Sequence, residues 1–144
     1  MTADPAAPSP LHPPLRSEDD AAELVRAVIG LDDIASGSLL LFVCDIERRP
    51  AVPVLITDVP VTAPPGPALD HWFEHLEGVL GSSASSLVFA RARSGRSYVV
   101  DHDRGWHEAV VRGCARTGVP LLAAFLVTAH AVVPFPSPVG GLAR

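Results

Sequence analysis

Apolar positions along this chain fall into runs whose period switches between that of a helix and that of a strand. Ser17, with Asp20 three residues on, makes a capping-box-like helix start. Leu24, Val25, Val28 and Ile29 follow at helical spacing, and Gly30 stops the segment. Residues 36–47 read SGSLLLFVCDIE, a continuous apolar run of strand length, which predicts a buried strand. Arg48, Arg49 and Pro50 turn the chain back into residues 51–59, where Val52, Val54, Ile56 and Val59 mark a second strand. Pro53 cannot donate a ladder hydrogen bond, so this strand is expected at a sheet edge.

A stiff TAPPGP connector over 62–67 precedes a second helix, expected at 68–80. Its apolar stripe is Leu69, Trp72, Phe73, Leu76, Val79 and Leu80, and Gly81 closes it. The serine tract 82–86 leads into a central-type strand, Leu87, Val88, Phe89 and Ala90. Asp101 or Asp103 caps a third helix running to Thr117, with Gly118 as its stop. A buried strand over 121–128, a turn at Ala129 and His130, and a last strand over 131–135 complete the pattern. The order is α-β-β-α-β-α-β-β. Strands alternating with helices, with hairpins at both ends, predict a single-domain α/β three-layer sandwich with a mixed sheet. Residues 1–16 read as a disordered Pro-rich leader, 17–136 as the domain and 137–144 as a flexible tail. Leu41, Val43, Val88, Phe89, Leu122, Leu126 and Val127 are the expected core.

Composition adds one constraint and removes several functions. The 144 residues include no Lys, Asn or Gln, so all eleven basic residues are arginine. That pattern reads as the codon bias of a GC-rich bacterial genome, and it discounts any cluster of arginines as a signal by itself. Apolar content of 48% with 19% charged residues fits a packed core. A net charge of −5 argues against nucleic acid as a partner. The most apolar stretch, 119–135, contains Pro120, His130 and Pro134 and is short of the about 20 residues a membrane helix needs, so no membrane span is expected. The start MTADPAAPSPLHPP lacks the features of a secretory signal, which leaves the cytoplasm as the expected compartment. Cys44 and Cys114 lie in apolar segments and read as small buried thiols.

Three groups carry candidate chemistry. His71, Glu74 and His75 spell the His-x-x-Glu-His pattern in which two histidines four apart share a helix face and could hold a metal. The surrounding helix makes that face the solvent side, and exposed histidines are the plainer reading. Asp101, His102, Asp103, His107 and Glu108 gather at a helix start, where acids favour the helix dipole. Cys114 stands too far from His107 to form a catalytic pair. Arg91, Arg93 and Arg96 follow a central strand at its carboxyl end, the place where ligands sit in open α/β sheets. An anion could be held there by Arg91, Arg93 and helix amides; the simpler expectation is an ion pair of these arginines with Asp101 or Asp103.

From Leu39 to Phe135 the chain resembles the JAB/MPN (JAMM) metallo-hydrolase domain, closest to its RadC-like bacterial branch. That branch ends its central strand in Ala-His-Asn-His-Pro-Ser-Gly; here the strand ends Ala90-Arg91-Ala92-Arg93-Ser94-Gly95. The resemblance implies a zinc site made of the two histidines and an Asp, with a Glu that activates water. Arg91 and Arg93 stand at the two His positions and cannot bind a cation. Asp103 fits the ligand Asp, and no acid is found ahead of Leu39 at the place of the general base. The expectation is therefore a metal-free, non-catalytic domain without a cofactor, acting through a protein partner or as a homodimer by its edge strands 51–59 and 131–135. The alternatives are a small metal-dependent hydrolase, using His71 and His75 or the Asp101–Asp103 region, and a small-anion binding module at Arg91 and Arg93.

Overall fold

The computed structural model describes residues 12–80 and 86–136, and the side chains of all of these but 77–80. Five strands form one sheet: β1 (Ser38–Cys44), β2 (Pro50–Ile56), β3 (Ser86–Ala92), β4 (Leu121–Val127) and β5 (Val132–Pro134). Their order across the sheet is β2-β1-β3-β4-β5. Only β3 and β4 run parallel; the other neighbours are antiparallel. A parallel pair needs a long crossover, and α4 (Asp101–Thr117) supplies it. Helix α1 (Glu18–Val28) stands where the apolar periodicity placed it, while α3 (Pro65–Leu80) begins three residues before the expected 68, inside the TAPPGP connector, because a proline is tolerated in a helix's first turn. The α/β class, the mixed sheet and the order of elements agree with the sequence pattern, apart from one added short helix, α2 (Leu31–Ser36).

The three central strands are buried along their whole length, because both faces of the sheet are covered. On one face Leu40, Phe42, Val88, Ala90, Phe125 and Val127 pack with Leu24, Val25 and Ile34 of α1 and α2. On the other, Leu39, Leu41, Phe89 and Leu126 pack with Leu69 and Phe73 of α3 and Trp106 and Val110 of α4. All seven expected core residues are buried. In α3, Leu69, Phe73 and Leu76 are buried and Trp72 half-buried, while Val79, Leu80, the Gly81 stop and residues 82–85 lie outside the described side chains. The edge strand β2 is only partly covered, in keeping with Pro53 at an edge, and it ends at Ile56, short of the expected 59: Val59 lies beyond it, its amide donating to the Gly37 carbonyl at 2.9 Å.

Local chemistry shifts several boundaries. Gly37, at φ 81°, begins β1 two residues later than the apolar run suggests, and a Cβ there would meet the Val59 carbonyl oxygen at 2.6 Å. Asp45 ends β1: its Oδ1 accepts from the amides of Glu47 (2.8 Å) and Arg49 (2.9 Å), folding the hairpin. Gly30 opens α2 as well as following α1, since its amide donates to Asp33 Oδ2 at 2.9 Å. Ser17 caps α1 by accepting from the Asp20 amide (3.2 Å), but Asp20 turns back to the Arg16 amide instead of closing the box on Ser17. The domain also starts before Ser17. Leu15 is buried against α1, and its amide donates to the Arg48 carbonyl at 3.0 Å, so the ordered fold reaches into the expected leader. Residues 1–11 and the expected tail 137–144 lie outside the described residues.

One glycine sets the spacing of the second face. A Cβ on Gly113 of α4 would lie 2.2 Å from the Phe73 ring of α3. Gly113→Ala gains about 1 kcal/mol of helix propensity. Against this, driving a methyl into a rigid, buried ring costs about 1–3 kcal/mol. The chemical-denaturation midpoint is therefore expected to fall with an unchanged slope; a midpoint at or above wild type would show that α3 and α4 separate without cost.

Candidate functional site

Residues alternate faces along β3, so Leu87, Phe89 and Arg91 point to the side covered by α3 and α4. Arg93 follows just past the strand, on the same side. Beneath them, α4 carries Asp103 and Trp106 on its buried stripe. The carboxyl end of β3 and the first turn of α4 thus bring Arg91, Arg93, Asp103 and Trp106 into one buried cluster.

Arg93 has no free donor. Its Nε and Nη2 meet Asp103 Oδ1 and Oδ2 at 2.9 and 2.8 Å, a two-bonded carboxylate pair. Its Nη1 donates to the carbonyls of Ser94 and Arg96, both at 3.0 Å, and Nη2 also donates to the Tyr98 carbonyl at 3.0 Å. A guanidinium carries five N–H groups, and this one uses them all. Asp103 in turn accepts from the Val100 amide at 3.0 Å. It therefore caps α4 from inside the first turn, while Val100, not an aspartate, occupies the N-cap position. Burial alone would raise the Asp103 pKa. The Arg93 bonds, the Val100 amide and the field of Arg91 outweigh it and hold the carboxyl below its ordinary value. The Arg93 pKa is raised, chiefly by its bonds to Asp103.

Arg91 differs in every respect. It is 0% exposed, and its one hydrogen bond, from Nη1 to the Ser38 carbonyl, is at the 3.5 Å limit. Its Nε and Nη2 have no partner, and neither does the buried Nε1 of Trp106. The guanidinium carbon lies 5.9 Å from the Trp106 ring centroid. Desolvation lowers the Arg91 pKa, the Asp103 charge opposes this, and the Arg93 charge adds to it. A cation over a desolvated indole gains about 2 kcal/mol, which leaves its unmet donors uncompensated.

The other candidate residues are dispersed. Asp101 is exposed and pairs with Arg104 instead of Arg91 or Arg93, because the first turn of α4 directs it to solvent. Arg96 is exposed and offers the cluster only its carbonyl. His71, Glu74 and His75 lie on the exposed side of α3, and among the described residues no three His, Cys, Asp or Glu form a metal-sized group. His102 approaches the Ala63 carbonyl at 3.4 Å and sets its ring edge-on to Trp106. His107 stacks on Phe135 with centroids 4.6 Å apart, and burial depresses its pKa against the raising effect of Glu108. Cys44 and Cys114 are buried free thiols, pushed up to about 11 and about 12 by desolvation. No sequence motif points to Trp106. The available signal was its position three after Asp103, on the same helix face.

Two measurements follow from these charges. Removing the Asp103 carboxylate by Asp103→Ala leaves Arg93 buried and unpaired, so a loss of about 3–5 kcal/mol is expected in chemical denaturation. His107 has a folded pKa below its unfolded value near 6.5. The unfolded chain then binds the extra proton, and stability falls as pH drops from about 6.5 through the folded pKa. His107→Phe should remove that part of the slope; identical pH profiles for the two proteins would show that His107 titrates alike in both states.

No protein-family model matches the chain, and no curated protein matches it.

Proposed function

We propose that the domain is a non-catalytic binding module that takes up a small oxyanion at Arg91. The observation that carries this reading is the Nε/Nη2 edge of Arg91, two parallel donors on a buried cation with no partner. Within the same cluster that edge of Arg93 is filled by both oxygens of Asp103, which displays the group it fits. Arg91, Arg93 and Asp103 sum to one net positive charge, so the cluster favours an anion. Cysteine–histidine chemistry finds no support: both cysteines are buried with raised pKa values, and His107 lies flat on Phe135.

The same cluster supports reading the domain as a metal-free relative of the RadC-like JAB/MPN fold. The resemblance assigns zinc to the positions of Arg91, Arg93 and Asp103. Here a guanidinium joins the strand position to the helix carboxylate directly, so the cation is part of the chain. A second reading, contact with a protein partner or a second copy through β2, is favoured by the exposed Val52 and Leu55 on that edge. Pro50 and Pro53 in β2 and Pro134 in β5 blunt both edges against strand addition, so such a partner would meet side chains. Light scattering that shows a dimer dispersed by Val52→Asp would carry this reading.

Two experiments test the proposal. Thermal melts at constant ionic strength are expected to show saturable stabilisation by acetate or phosphate in wild type. Arg91→Lys, which keeps the charge but loses the two-donor edge, should abolish it. No difference between the two proteins would overturn the reading. Elemental analysis of dialysed protein is expected to find well under one equivalent of zinc; stoichiometric zinc lost in His71→Ala would return the chemistry to α3.

A further inference from the structure

The bonds that Arg93 gives to the carbonyls of Ser94, Arg96 and Tyr98 fix the loop ahead of α4. With its carbonyls turned to the guanidinium, the loop leaves the side chains of Arg96 and Tyr98 exposed. Val100 follows at the N-cap of α4, and Val61 reaches the same place from the β2–α3 connector. Together they line a cavity of about 290 Å³. Among the described residues eight large hydrophobic side chains are exposed. Three of them, Val61 (64%), Tyr98 (56%) and Val100 (37%), meet on this one cavity. Apolar residues scattered singly are ordinary on a protein surface, whereas a convergent group marks a contact site. Arg91 is fully buried and does not line the cavity, so this surface is separate from the oxyanion site proposed above.

Charge at the cavity has one sign. Its lining holds one carboxylate, Asp103, which is 0% exposed and already accepts from Arg93 and the Val100 amide. The lining cations are Arg93, whose side chain is 10% exposed, and Arg96. Arg96 is exposed and enters none of the ion pairs among the described residues. Asp101, exposed in the first turn of α4, is held by Arg104. An uncompensated cation thus stands beside an apolar rim, on a chain whose net charge is −5. A volume of about 290 Å³ lies at the lower limit of pockets that enclose a whole small molecule, about 300–1,000 Å³. It suits an anchoring side chain, and such anchors carry most of the energy at protein interfaces. Because the loop is already fixed, closing on an anchor orders little further backbone. We infer that this cavity docks an extended segment of a protein partner in which a large apolar side chain stands within one or two residues of an acid. The apolar side chain fills the space between Val61, Tyr98 and Val100, and the carboxylate pairs with Arg96.

A display library of random dodecapeptides, selected on the full chain and counter-selected on Arg96→Glu, tests the chemistry of the occupant. Peptides that carry an acid beside an aromatic or large aliphatic residue are expected to be enriched. A synthetic peptide of the enriched sequence should shift the ¹H–¹⁵N signals of Val61, Tyr98 and Val100 saturably, and its affinity should fall as salt rises. Affinity is expected to drop at least about tenfold in Arg96→Glu and in Val61→Ser, and as much when the peptide's apolar anchor is replaced by alanine. Both substituted side chains are exposed, so each variant should keep the wild-type melting temperature. Tyr98→Ala, whose backbone carbonyl still serves Arg93, gives a third variant of the rim. Enrichment of basic peptides, no enrichment over Arg96→Glu, or shifts confined to other residues overturns the inference. Shifts of the same three amides that grow with protein concentration alone assign the surface to a second copy, and they overturn it too. So does benzoate that displaces the peptide at equal concentration, since the cavity would then belong to a small acid.

Discussion

The carboxyl end of the sheet is held by one guanidinium. Arg93 leaves β3 just where the strand stops, and its donors reach three loop carbonyls and the Asp103 carboxylate. One side chain thereby fixes the path of the chain from Ser94 to Tyr98 and the position of the first turn of α4. Ser97 and Thr128 add a hydroxyl bond of 2.5 Å between that loop and the end of β4. Because β3 and β4 are parallel, α4 must cross between them, and a misplaced helix start would displace its whole buried stripe. The arrangement needs a planar, multiply bonded cation. A lysine ammonium has three donors and no fork, so it could not hold both carboxylate oxygens and three carbonyls.

That lock also explains why Arg91 stands apart. Two buried arginines share the end of one strand, and the cluster provides one carboxylate. Asp103 is consumed by Arg93 and by the helix cap. Arg91 receives only its field, the face of Trp106 and one long bond to the Ser38 carbonyl. Burying a charge without hydrogen-bond partners costs several kcal/mol, and aliphatic side chains fill the neighbouring positions on the same face without that cost. Among the described residues the chain pays this at Arg91, the residue proposed to take up an oxyanion.

The sequence disclosed the fold through its periodicities because burial obeys them. Three runs buried on both faces appear as unbroken apolar stretches, and Pro53 marks the edge strand. What stayed hidden was set by local polar bonds. The short α2 is too brief for a helical period to register, and its start depends on the Gly30 amide meeting Asp33. Leu15 sits among prolines and polar residues, and only its contact with the β1–β2 turn reveals it as core. At the site, spacing brought Arg91, Arg93 and Asp103 to one end of the domain. Spacing alone does not tell which arginine the carboxylate takes. Asp101 and Asp103 both lie in the first turn of α4, yet a rotation of two helical residues sends one to solvent and the other to the core.

The choice between a lock and a binding site, posed for the arginines together, dissolves once their donors are counted separately. Arg93 belongs to the fold: the same bonds that place α4 leave it nothing to give a ligand. Arg91 has its fork unmet, with the Trp106 indole N–H in the same condition, and this is what the proposed oxyanion site rests on. The two roles are coupled, because Arg93 withholds from Arg91 the carboxylate that would otherwise neutralise it. Weakening the Arg93–Asp103 pair would free that carboxylate to turn toward Arg91, closing the fork while loosening the helix start. Stability and anion affinity should therefore fall together when Arg93 is shortened, even though Arg93 touches no ligand.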